Sequence, residues 1–318
     1  MKNSIVENMR ILLLIISFSL AIQTQCFAQP YTIPENVKKI VFLGNSITYA
    51  GYYISCIDAY LRCQYPERHI EIINVGLPSE TVSGLTEPGH AGGKFPRPDL
   101  HERLDRILEK IKPDLVFECY GMNDGIFLPF DNERFQKFCE GMNWMHEQVI
   151  RSGVPIIHIT SPIYDERKGK AYANVLDLYA DWLISRRYTN NWSVIDVHWQ
   201  MKKSLEDQRL KDSTFKYAAD GVHPNNAGHF IIAQQILLNL GETKVARAAD
   251  MQDLLLGYRN ADTVFNLVQE EQAIKKDAYL TFTGHKRPGM KIGLPLPEAV
   301  LKCDAIDQKI QLLTNRIQ

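Results

Sequence analysis

The stretch "IVFLGNSITYAGYY", Ile40 to Tyr53, is an apolar run that stops abruptly at Gly-Asn-Ser. Four consecutive apolar residues need cover on both faces, as the strands of a parallel sheet have, and the run hands over to a glycine, an asparagine and Ser46. In a doubly wound sheet the carboxyl ends of the strands form the ligand crevice, so Ser46 stands where chemistry is usually done. Strand, glycine, polar turn and helix also describe ordinary connections, so by itself the stretch indicates a fold and only raises the question of function.

Working outward, strand-like runs recur at Lys39 to Leu43, Ile70 to Val75, Leu115 to Tyr120, Pro155 to Thr160 and Ser193 to Val197. Amphipathic segments near Tyr53 to Tyr65, Leu100 to Ile111, Asp131 to Arg151 and Ala171 to Arg186 separate them. This alternation predicts an α/β fold with a central parallel sheet of about five strands and helices on both faces, a flavodoxin-like three-layer α/β/α arrangement. One insertion breaks the rhythm: "LPSETVSGLTEPGHAGGKFPRPD", Leu77 to Asp99, a Gly- and Pro-rich connection placed to shape a pocket above the sheet. After Gly241 the alternation ends. A helix over Asp262 to Tyr279, the loop "TGHKRPGMKIGLPLP" and a last helix from about Pro297 form a helical C-terminal extension, residues 241–318, beyond a main domain of residues 29–240. In the last helix Ala299, Cys303, Ile306, Ile310, Leu313 and Ile317 form an apolar stripe, which fits packing on the α/β domain or, as a second option, a homodimer contact.

The 318 residues carry 36 Lys and Arg against 37 Asp and Glu, with 45% hydrophobic and 10% aromatic residues. Such a balance suits a well-packed globular chain and points to neither nucleic acid nor an anionic membrane as partner. Lys2 and Arg10 precede the apolar run "ILLLIISFSLAI" and then "CFAQP". The run is short for a membrane span and fits a signal peptide of residues 1–28, so the mature chain is expected to start at Gln29 and to be exported, periplasmic or secreted, without stable membrane insertion. A lipid anchor on Cys26 is the rival, disfavoured by the bulky Gln25 before it. The remaining cysteines, Cys56, Cys63, Cys119, Cys139 and Cys303, form no disulfide framework and read as small buried hydrophobes.

Three further places give Ser46 company: "NVG" (Asn74 to Gly76), "YGMND" (Tyr120 to Asp124) and "DGVHPNNAGH" (Asp220 to His229). Each lies at a strand's carboxyl end or in a loop able to return there. A serine nucleophile needs a base, a group that orients the base, and donors aimed at the oxyanion. Asp220 and His223 sit one turn apart, a spacing that brings the carboxylate to one imidazole nitrogen and leaves the other for Ser46. Gly76 can offer a backbone N–H at close approach, Asn123 an amide N–H, and Ser46 its own N–H.

These four blocks, in this order, resemble the SGNH/GDSL hydrolase family from Val41 to His229. The resemblance implies Ser46 as nucleophile, His223 as general base and then acid, Asp220 as its orienter, and an oxyanion hole of Ser46, Gly76 and Asn123. Asn45 stands where many members have aspartate, and Ser79 where a second glycine often follows.

Other chemistries fit less well. "MHEQVI" resembles the start of a zinc-protease helix, but Ile150 replaces the second histidine, so His146 reads as a helix-surface residue. No ligand set completes a metal site around His223 and His229, the calcium-like spacing in "YGMNDG" does not continue, and no phosphate-cradling glycine motif follows the first strand; no cofactor is expected. The expected activity is exported carboxylic-ester hydrolysis, removing O-acetyl groups from a carbohydrate, with a small-molecule or polysaccharide ester as substrate. The alternatives are a lysophospholipase or thioesterase acting on longer acyl chains, and a non-catalytic carbohydrate-binding protein. Glu80, His285 and Arg287 are candidate substrate contacts. His285, Lys286 and Arg287 read most simply as a solvated charged loop, and in the sharper reading Arg287 grips a substrate carboxylate of the kind a uronic acid carries.

Overall fold

A computed structural model describes residues 30–314 of the chain. The expected leader, Cys26, Gln29 and Ile317 lie outside the described residues.

The opening stretch forms strand β1 (Lys39–Gly44), buried along nearly its whole length. It pairs in parallel with β2 (Glu71–Asn74) on one side and β3 (Leu115–Cys119) on the other, and β4 (Ile156–Ile159) and β5 (Ser193–Ile195) follow outward. The order is β2-β1-β3-β4-β5. Phe42 and Phe117, opposite each other in register, stack at 4.9 Å across the central pair. The direction of winding reverses between β1 and β3, which makes that gap the switch point where ligands bind in such sheets.

The connections are α1 (Ser46–Ala50), α2 (Tyr52–Gln64), α3 (Leu104–Ile111), α4 (Asn132–Arg151) and α5 (Lys170–Thr189), followed by α6 (His198–Lys211) and α7 (Asn226–Asn239). Right-handed crossovers put α2 on one face and α3, α4 and α5 on the other, because the chain winds outward from β1 in opposite directions. α7 packs on α2 and thickens the first layer. The two helices α6 and α7 are additions to the sequence reading, which singled out no helix there.

From Tyr31 onward the described chain is one compact unit that includes the segment from residue 241 to residue 314. After the short α8 (Met251–Leu254), α9 (Ala261–Thr283) lies on α2 and on the edge strand β2. Gln272 on α9 donates to the Ile72 carbonyl at 3.0 Å and to Asp58 at 2.7 Å, so the helix covers an exposed sheet edge that would otherwise invite another strand. The last helix, α10 (Leu296–Thr314), packs on α9 and buries Ala299, Cys303, Ile306 and Ile310. These four residues of the apolar stripe are thereby consumed within the chain, and a second copy pairing through this helix would have to use other residues. All five cysteines among the described residues are buried and unpaired. No helix among those residues is long and apolar enough to cross a membrane.

Candidate active site

Ser46 is the first residue of α1, directly after β1, and Asn45 caps that helix by accepting from the Ile47 N–H at 3.2 Å. A first-turn backbone N–H has no partner inside its own helix, so the Ser46 N–H faces outward from the strand end. The turn is tight enough to demand small neighbours. A Cβ on Gly44 would lie 2.2 Å from Thr48 Oγ1, and one on Gly76 would lie 2.5 Å from the Tyr49 nitrogen. Glycine at 76 therefore lets the end of β2 press against the backbone of α1.

The histidine arrives on the loop before α7. Asp220 Oδ1 accepts the backbone N–H groups of Val222 at 2.9 Å and His223 at 2.8 Å, folding "DGVH" into a turn closed by the aspartate itself. Its other oxygen meets His223 Nδ1 at 2.6 Å, and His223 Nε2 meets Ser46 Oγ at 2.9 Å. Burial alone would raise the Asp220 carboxyl, but its bonds from the His223 side chain and from the two backbone N–H groups outweigh that and lower it to about 2. An ionised carboxylate only accepts, so Nδ1 carries the proton and Nε2 is left as the acceptor facing the serine hydroxyl. Both side chains are about half exposed, at 52% and 55%, so the site opens to solvent. The turn is braced from outside by the Asp165 N–H, which donates to the Gly221 carbonyl at 3.0 Å; a Cβ at Gly221 would lie 2.8 Å from the Lys168 side chain and 3.4 Å from the Tyr164 ring.

The remaining candidates are placed unequally. Asn123 is buried beneath the crevice, with one amide proton given to the Glu80 carbonyl at 3.0 Å and the second left over. The Gly76 N–H is already taken by Asn74 Oδ1 at 2.9 Å, while Asn74 Nδ2 donates to the Thr48 carbonyl at 2.6 Å. Asn74 thus clamps the end of β2 to α1, a role the sequence reading missed although the residue stands in the quoted "NVG". Asp124 was missed too. Fully buried, it accepts the N–H groups of Val82, Ser83 and Gly121, each at 2.9 Å, and moors the long connection to the end of β3. Burial raises its carboxyl, partly offset by those bonds.

Glu80 is not a substrate contact. It is wholly buried, paired with Arg103 through Nε and Nη2 at 2.6 Å each, and it accepts the Tyr120 hydroxyl at 2.6 Å. A charge read as lining a polar loop is instead locked beneath it. His285 is partly buried, and burial followed by the charge of Arg103 lowers its pKa; its Nδ1 has no hydrogen-bond partner. Arg287 reaches the connection after β2, with Nε donating to the Pro78 carbonyl at 2.9 Å. His146, expected on a helix surface, is half-buried between His158, at 2.9 Å, and the ring of Trp192. His229 stacks on Tyr53, and burial lowers it to about 4, leaving it a neutral neighbour of His223. Ser79 adopts φ 68, in the left-handed region that glycine enters without strain and a serine does not.

On the Asp220 side the crevice is flanked by rings. Phe127, 36% exposed, lies 6.1 Å from Tyr164 and 4.8 Å from Tyr172. Ile126 and Phe127 hold φ of 46 and 57, and for a β-branched residue that is real strain of the kind that gathers at functional sites.

The chain is similar in sequence or in fold to several known proteins. An acetylxylan esterase of Geobacillus stearothermophilus is 25% identical over 230 residues, 64% of this chain and 94% of that protein. The crystal structure of Axe2, an acetylxylan esterase from the same organism, superposes with a TM-score of 0.51 at 23% identity, covering 64% of this chain and 94% of that one. A gut microbial diltiazem-metabolizing enzyme gives a TM-score of 0.55 at 21% identity over 68% of this chain, which spans only 49% of that enzyme's length. The structural likenesses show a shared fold. The sequence pattern of the GDSL-like lipase/acylhydrolase family matches residues 42–231, from within β1 into α7, and the chain belongs to that family.

Proposed function

We propose that the protein is a serine carboxylic-ester hydrolase that removes O-acetyl groups from a carbohydrate. The observation that carries the reading is the continuous relay from Asp220 through His223 to Ser46, with contacts of 2.6 and 2.9 Å. In this reading His223 Nε2 takes the Ser46 proton as Oγ attacks the ester carbonyl. The same nitrogen then gives that proton to the departing alcohol oxygen, leaving an acyl-enzyme that water clears with the roles repeated. Asp220 stays ionised and stabilises the imidazolium. The oxyanion is met by the Ser46 N–H and the second Asn123 proton, with the Gly76 N–H joining by sharing between Asn74 Oδ1 and the new charge.

The half-exposed relay and the ring faces of Tyr164 and Phe127 beside it suit the edge of a polymeric sugar better than a small sealed metabolite. The similarity to an acetylxylan esterase supports the acetyl group. One observation favours a second reading: Phe127, Leu128 and Phe130, 36%, 44% and 44% exposed, offer an apolar surface on which a longer acyl chain would rest. Aryl esters of increasing acyl length, run beside acetylated xylan, decide between them. A kcat/KM that falls from acetyl to butyryl supports the acetylesterase, and one that climbs with chain length rejects it.

Asn123→Ala is expected to lower kcat by about 10²- to 10³-fold, as loss of one oxyanion donor does. An unchanged kcat would remove Asn123 from the hole. Export is proposed from residues 1–28. The intact mass of the natively expressed protein should correspond to a chain starting at Gln29, and a full-length mass on cytoplasmic protein would refute it.

A further inference from the structure

The segment beyond the family match brings two cations to the edge of the crevice. Arg287 sits on the loop between α9 and α10 and crosses to the connection after β2. Its Nε donates to the Pro78 carbonyl at 2.9 Å, its Nη1 to Pro288 O at 3.2 Å and to Met290 Sδ at 3.1 Å, and the guanidinium lies 5.3 Å from the Phe95 ring. Lys276 on α9 donates to the Tyr49 carbonyl at 3.0 Å and sits 4.0 Å from the centre of the Tyr49 ring. Pro78 is two residues past Gly76, and Tyr49 is three residues past Ser46 on α1. The two cations therefore touch the two elements that carry the proposed nucleophile and an oxyanion donor, within reach of a substrate bound there.

Neither cation has a carboxylate partner within 4.0 Å among the described residues. The neighbouring Arg97 shows the contrast: it is matched by both oxygens of Glu87, at 2.6 and 2.7 Å. Burial lowers the pKa of both Lys276 and Arg287, the mark of positive charge partly withdrawn from water. Carbonyl and ring contacts orient a guanidinium without neutralising it. One edge of its fork, Nη2, is left without a bond. A half-desolvated cation of this kind lowers its free energy when an anion arrives, and a planar carboxylate fits a guanidinium edge best. The loop is not adrift. Gly293 is held to Thr281 Oγ1 at 2.8 Å, Lys291 to Asp277 at 2.7 Å, and Arg106 holds the Thr283 carbonyl at 3.0 Å.

We propose that Arg287 forms an anion subsite at the rim of the Ser46 crevice and selects acetyl esters of glycans that carry a uronic-acid carboxylate near the ester. The proposal rests on the serine-esterase reading of the site and adds the class of substrate. Arg287 is a specificity-determining residue here and takes no part in the bond changes.

The test uses the full-length mature protein and its Arg287→Met and Arg287→Lys variants, each checked by thermal unfolding. Three substrates are compared: 4-nitrophenyl acetate, a neutral acetylated xylan, and an acetylated glucuronoxylan. Arg287→Met should lower kcat/KM on the glucuronoxylan by about 10- to 100-fold, the loss of one charge-assisted fork, while the other two change less than about 2-fold. Arg287→Lys should fall between, since it keeps the charge and loses the fork. A binding arm is independent of turnover. On a Ser46→Ala background, calorimetry with an aldouronic oligosaccharide should show a similar loss on adding Arg287→Met. Equal losses on neutral and acidic substrates would return Arg287 to holding the loop, and no loss on either would also overturn the subsite. If the wild-type protein hydrolyses none of the three, or Ser46→Ala hydrolyses them normally, the serine-esterase reading itself fails. An active wild type with an inert Ser46→Ala and no uronate-selective effect removes the subsite alone.

Discussion

Ser46→Ala and His223→Ala are each expected to abolish ester hydrolysis, lowering kcat by about 10⁴-fold or more, with the fold unchanged by circular dichroism. The size follows from the geometry. Ser46 Oγ and His223 Nε2 are 2.9 Å apart, so removing either side chain takes away the proposed nucleophile or the base that receives its proton. Neither residue holds the core together: Ser46 is partly exposed at the start of α1, and the His223 side chain is 52% exposed. Asp220→Asn should be nearly as damaging for a different reason. The amide can present N–H toward Nδ1, which stabilises the tautomer whose Nε2 carries the proton and cannot accept one from serine. Because the three act as a unit, a double variant should lose little more than either single one. Pure Ser46→Ala protein that still turned over aryl acetates at the wild-type rate would show that another group is the nucleophile.

Arg103→Met should destabilise the protein by about 3 to 5 kcal/mol, the largest effect on stability anticipated for a single substitution here. Arg103 and Glu80 both have no side-chain exposure, and their two 2.6 Å contacts form a fork-to-carboxylate pair. Burial pushes the Glu80 carboxyl up, with Arg103 and the Tyr120 hydroxyl pulling it back. Taking Arg103 away leaves that carboxyl in the core with only Tyr120 beside it and frees the Val75 carbonyl that Arg103 held at 2.8 Å. Glu80→Gln combined with Arg103→Met should recover part of the loss, since the stranded charge is gone, and that recovery separates a charge effect from a packing effect. Urea unfolding of the three proteins measures it. A change below about 1 kcal/mol for Arg103→Met would mean that the pair is not a buried ion pair of this kind. The site would feel the variant too, because the Glu80 carbonyl holds Asn123 at 3.0 Å.

The sheet was legible because its information is local. An apolar run such as Ile40 to Leu43 states its own need for cover on two faces, and five such runs with helices between them leave few topologies open. The relay was legible for the same reason. Asp220 and His223 are bonded across one turn, and the serine lies at a strand end that the run itself announces. What the sequence left undetermined depends on partners far along the chain. Glu80 read as a contact on a polar loop, because nothing near it shows that Arg103, 23 residues on, neutralises it in the core. His146 read as solvent-facing because its helix periodicity does not include His158 on β4 and Trp192 just before β5. Gly76 read as a free donor until the Asn74 side chain, two residues back, was seen to fold onto it. The loop carrying Arg287 had no position at all until α9 docked on the edge of β2. Hydrophobic periodicity records which face of an element is buried. Which charge lies beneath a loop, which donor is already spent and which distant loop reaches the crevice are set by long-range contacts, and only the tertiary structure decides them.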